Sequence, residues 1–89
     1  MTEHDIRLRV AQCLGLALKR KVGADEPVER SGEERWDSLS HALIMFSIED
    51  AFGIKFTEED LQTLSSADEL VRAVEKHLEA RPVNSRSGV

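Results

Sequence analysis

Apolar residues recur at helical spacing in three parts of the chain. Ile6, Val10, Cys13, Leu14 and Ala17 fall on one stripe and predict a first helix over residues 2–20. Gly15 inside it costs about 1 kcal/mol relative to alanine. Lys19, Arg20 and Lys21 suit the negative end of the helix dipole, and Gly23 reads as the stop. Residues 22–36, "VGADEPVERSGEERW", have no period, and Pro27 and Gly32 mark them as a loop. So long a connection is unusual in a compact domain and is often functional. Asp37 and Ser38 are both good caps for a second helix, which ends at Gly53. "IKF" then forms a short extended bridge. Thr57 with Asp60 spells a capping box for a short third helix through Leu64, and Ser66 with Glu69 spells another for the last helix. Leu70, Val71, Val74 and Leu78 make the core face of that helix, and Pro82 ends it. These elements predict an all-α fold: a four-helix bundle with a long first loop and a short third helix, built as a single domain over residues 1–80. The polar stretch 81–89 reads as a disordered tail.

The second helix is apolar on two sides. At about 100° per residue, Ile44, Ile48 and Phe52 fall together with Met45 and Ala51 beside them, which is a core stripe. Leu39, Ala42, Leu43 and Phe46 form a second stripe. Glu49 and Asp50 follow on that side, and Ser38 stands at its N-terminal edge. A helix with two apolar sides is either central in the bundle or offers one side to a partner. Either Leu39 and Phe46 pack beneath the long loop, or they form a docking surface with acids at the rim.

Composition narrows the choice. Eighty-nine residues suffice for one small core. No apolar run can span a bilayer, and no signal peptide is seen, so cytoplasmic residence is the expectation. The single cysteine, Cys13, lies on the apolar stripe and reads as a structural thiol. The net charge of −5 is uneven: residues 1–36 hold seven acids and seven bases, whereas 37–80 hold ten acids and three bases. An acidic second half argues against nucleic acid and favours basic protein partners; it also serves solubility.

The run "WDSLSHALIMFSIEDAFGIKFTEEDL" resembles the core of an acyl carrier protein or a related peptidyl carrier domain. The likeness covers residues 36–79 without gaps, while the first helix and its loop fit more loosely. Arg35 stands where a glycine is common, Trp36 follows it, and Ser40 stands where many fatty-acid carriers have an acid. The likeness is therefore to free-standing carriers outside housekeeping fatty-acid synthesis. It implies that Ser38 carries 4′-phosphopantetheine, whose thiol holds acyl, aminoacyl or peptidyl groups as thioesters. It further implies that Asp37 helps to hold metal and cofactor during attachment. Leu39, Phe46, Glu49 and Asp50 would meet the phosphopantetheinyl transferase and the enzymes that load and transfer acyl or aminoacyl groups. Arg35 is near enough in sequence to meet the phosphate. Such a carrier is a monomer, performs no catalysis itself, and binds neither nucleic acid nor membrane. A phosphodiester at a helix start meets outward N–H groups and the positive dipole end, and tethering raises local concentration at each partner.

Other readings are weaker. Asp37, Ser38 and His41 could suggest a hydrolase, but the glycines of a nucleophile elbow are missing. His4, His41 and His77 are too scattered for a metal set and read as solvated or partner-facing. Glu58, Glu59 and Asp60 read as helix-start charge. An unmodified helical adaptor is the main alternative, and a helix-turn-helix DNA binder is a third option with the wrong sign of charge.

Overall fold

A computed structural model describes residues 2–80; the expectations for Pro82 and the 81–89 tail lie outside them. Four α-helices follow one another: α1 (Glu3–Leu18), α2 (Ser38–Phe52), α3 (Glu58–Thr63) and α4 (Ala67–Ala80). A 3-10 turn at Arg30–Gly32 interrupts the first loop. The fold is all-α, and the described residues contain no strand beyond one isolated bridge between Glu29 and Ser66. None of the described helices is long and apolar enough to cross a membrane.

The broad packing is α1 against α2 and α1 against α4. The predicted stripes supply it: Val10, Leu14, Ile44, Ile48, Leu70 and Val74 are all but sealed from solvent, with Cys13 and Phe52 beside them. Leu78 is only partly buried at the edge. Burial pushes the Cys13 thiol above its ordinary pKa, so it stays protonated and inert. In the "IKF" bridge the period is two: Ile54 and Phe56 are buried and Lys55 is exposed.

Helix ends follow the predicted chemistry in part. Thr57 and Asp60 form a complete capping box on α3. The Ser66 hydroxyl accepts the Glu69 N–H, but the Glu69 carboxylate takes the N–H and hydroxyl of Ser65 instead of closing the box. Thr2 and Asp5 make a capping box on α1 that was not anticipated. The stop of α1 also differs from expectation. The chain leaves the helix at Lys19, in the left-handed region at φ 59°, four residues before Gly23. Here Gly15 is required, because a Cβ on it would lie 2.8 Å from the Arg20 carbonyl oxygen as the chain turns back. The cation at this helix end is not one of the three neighbouring bases. Arg35 reaches back across the loop and donates to the carbonyls of Leu18 and Lys19 at 3.2 and 3.1 Å.

The long loop is built, not slack. Arg20 pairs with Glu26 at 2.8 Å and Glu33 at 3.2 Å. Val28 and Trp36 are buried in the core. Arg30 donates to the Ser65 carbonyl and Ala67 to the Val28 carbonyl, each at 2.8 Å, which stitches the loop to the start of α4.

Candidate functional site

Asp37 is the N-cap of α2, and its Oδ1 accepts the Ser40 N–H at 2.8 Å. That hydrogen bond holds the Asp37 carboxyl below its ordinary pKa, so the helix begins beside a carboxylate. Ser38 is therefore the first helical residue and not the cap. It is exposed, with no preceding turn to cover it.

The outer stripe of α2 does not pack under the loop. Leu39 is 71% exposed, Phe46 68% and Leu43 48%. The loop seals the core with Val28 and Trp36 and leaves these three to solvent. Asp50 is exposed among them, so the structure brings together Ser38, Leu39, Phe46 and Asp50 on the outside of α2. Glu49 departs from this picture. Its Oε2 accepts the Phe56 N–H at 2.8 Å, and the residue is half-buried, so it ties the bridge after α2 to the helix. It is a structural anchor that also lies beside the surface. Arg35 is the other departure, since its guanidinium serves the end of α1.

An open groove of about 320 Å³ runs between α2 and α3, lined by Ser38, His41, Ala42, Met45, Phe46, Glu49 and Leu61. Its apolar walls begin at the serine. A second cleft of about 270 Å³ lies on the far side of α3, between it and α4.

His4 is exposed as read, but His41 and His77 differ from the sequence reading. Buried Trp36 donates its Nε1–H to His41 Nδ1 at 3.0 Å, and His41 Nε2 lies 2.6 Å from the Leu61 carbonyl oxygen. Both His41 ring nitrogens are therefore committed to partners other than Ser38. His77 bonds Asp60 Oδ2 at 3.0 Å and presents the edge of its ring to Phe56. Burial opposes ionisation of Asp60, but the bonds from His77 and Thr57 outweigh it and hold the carboxyl below its ordinary value. The sequence reading took His41 as solvated or partner-facing and gave Trp36 no part in the packing. The one available signal was their five-residue spacing across a helix start, which becomes meaningful only when the loop's path is known. Among the described residues no three His, Cys, Asp or Glu side chains converge to hold a metal ion.

No protein-family model, no curated protein and no solved structure matches the chain.

Proposed function

We propose that the chain is an acyl carrier protein, a four-helix bundle of the carrier kind that is modified on Ser38 and works in the cytoplasm with separate enzymes. The observation that carries this reading is the combination at the start of α2: an exposed serine at the first helical position, beside an ionised capping aspartate, followed by an exposed apolar face. In attachment, Ser38 Oγ forms a bond to the β-phosphorus of coenzyme A. The pyrophosphate P–O bond breaks, adenosine 3′,5′-bisphosphate leaves, and the serine proton passes to the transferase. The attached 4′-phosphopantetheine supplies a thiol on a flexible arm, on which acyl, aminoacyl or peptidyl groups travel as thioesters.

The chain's own residues have defined parts in this reading. Ser38 accepts the group. Asp37 fixes the helix start and presents a carboxylate to the metal that accompanies coenzyme A. The first-turn N–H groups and the helix dipole favour the phosphodiester. Leu39 and Phe46 enter apolar grooves of the transferase and the loading enzymes, and Asp50, with the exposed Glu58 and Glu59, steers their basic rims. The exposed apolar face alone would serve an unmodified adaptor equally well; Ser38 and Asp37 are what favour the carrier.

The test is intact mass after incubation with coenzyme A and a broad-specificity phosphopantetheinyl transferase. Wild type should gain one phosphopantetheinyl group, and folded Ser38→Ala none. Wild type that stays unmodified with several such transferases would leave the adaptor as the better reading.

A further inference from the structure

The short helix α3 is held from outside and not by a buried face of its own. It has six residues and no buried one. A helix of that length does not hold itself in water. Phe56 before it is buried and Leu64 after it is partly buried, so its ends are pinned. Between those pins, clefts lie on both sides, and a single histidine crosses each: His41 from α2 and His77 from α4.

The crossing at His41 is chemically specific. Indole N–H can only donate, so Nδ1 of His41 must be its acceptor. The proton then sits on Nε2, which donates to the Leu61 carbonyl. That carbonyl belongs to the last turn of α3, where no intrahelical donor follows. The buried indole stacks against the imidazole with ring centres 6.1 Å apart and fixes its orientation. Leu61 is also the residue that α3 contributes to the groove beginning at Ser38. The same residue is thus both the wall of the groove and the point that His41 grips.

We propose that Trp36 and His41 form a latch that holds α3 as a movable wall over the groove beside Ser38, so that His41 is a positioning residue governing how far an apolar group carried on Ser38 is covered. The covering of cargo rests on the carrier reading; the latch does not. When the latch holds, Leu61 faces Met45 and Phe46 across the groove, and an acyl chain long enough to enter is shielded from water. When it is released, α3 swings on its pinned ends and the groove opens.

The experiment has three arms. In wild type, nitrogen-15 NMR should find His41 protonated on Nε2; the Nδ1–H tautomer overturns the latch without any variant. In His41→Phe, which keeps a ring but loses both bonds, the Leu61 and Leu64 amides should exchange with deuterium roughly tenfold faster while α1 and α4 amides keep their wild-type rates. Equal acceleration everywhere means a merely structural residue, and no acceleration means no latch; either overturns the proposal, as do Leu61 and Leu64 amides that are unprotected in wild type. Finally, octanoyl and acetyl thioesters are loaded by the transferase from the corresponding coenzyme A esters and cleaved with hydroxylamine. The octanoyl form of His41→Phe should be cleaved several-fold faster than that of wild type, with the acetyl forms equal. Equal octanoyl rates overturn the covering role. Wild type that accepts no group from coenzyme A defeats the carrier reading, and with it the covering role, and is told apart by mass; the first two arms then judge the latch alone.

Discussion

The two faces of α2 carry side chains of the same kind and do different things. On one face Ile44, Met45, Ile48 and Phe52 are buried against α1 and the rest of the core. On the other, Leu39, Leu43 and Phe46 stand in solvent along the outside of the helix that Ser38 opens. Hydrophobicity alone does not separate them. What separates them is the partner: α1 covers the first face, while the loop that might have covered the second buries Val28 and Trp36 instead. In the carrier reading proposed above, that uncovered apolar face is what the partner enzymes dock against. The same division runs through neighbouring residues. Glu49 is tied to the backbone while Asp50 is free at the surface, and Asp37 caps the helix while Ser38 stands open.

Three pairs of residues test this division, the largest effect first. Phe52→Ala should lose about 3–5 kcal/mol of unfolding free energy in urea, as a buried aromatic truncated to alanine does. Phe46→Ala should change stability by no more than about 0.5 kcal/mol. If the two variants lose similar amounts, the inner and outer faces are wrongly divided.

The second pair is Glu49 and Asp50. Removing the Glu49 carboxylate leaves the Phe56 N–H without its acceptor, so Glu49→Leu should cost about 1–3 kcal/mol. The sequence reading placed Glu49 only at the docking rim, and its bond to the Phe56 N–H gives it a part in the fold as well. Asp50→Lys should unfold like wild type and instead slow the transferase reaction at low salt, with the difference fading as salt screens the rim. A rate for Asp50→Lys equal to that of wild type at all salt concentrations removes the acidic rim from the account.

Much of this was legible in the sequence; a few local signals failed, such as the stop of α1 at Lys19 and the unclosed box at Ser66, and the other failures have one cause. The inner stripe of α2, the capped start at Asp37, the stop at Gly53 and the box at Thr57 are local patterns of spacing and side-chain chemistry, and they fold as read. Arg35, Trp36, Glu49 and His41 were misjudged or passed over because each bonds a group five or more residues away. Arg35 looked like a neighbour of Ser38 because it is one in sequence, yet it caps α1. The first loop looked unstructured because its order comes from ion pairs and from backbone pairing with residues 65–67, which leave no period in the sequence.

The third pair has the smallest expected effect. Asp37→Ala removes the cap of α2 and should lower the urea unfolding midpoint at neutral pH, by less than either Phe52→Ala or Glu49→Leu. Because the folded-state pKa of Asp37 lies below its ordinary value of 3.8, the contribution of its charge is complete above 3.8 and is lost as pH falls through the folded value. The stability difference between wild type and Asp37→Ala should therefore shrink in acid to what the protonated carboxyl still contributes as a neutral cap. A difference that persists unchanged in strong acid shows that the carboxylate is not the capping group. Ser38→Ala makes no cap and adds a better helix former, so its unfolding curve should match that of wild type to within about 0.5 kcal/mol.

The central claim is that Ser38 is the point of attachment. It is tested most directly by fragment mass spectrometry of the protein after treatment with coenzyme A and a phosphopantetheinyl transferase. The account predicts one phosphopantetheinyl group on the fragment containing residue 38, assigned to Ser38 by cleavage between it and Ser40, with Ser31, Ser40 and Ser47 unmodified. A group found on any other serine, or no group on wild type while a known carrier in the same tube is fully modified, would contradict it.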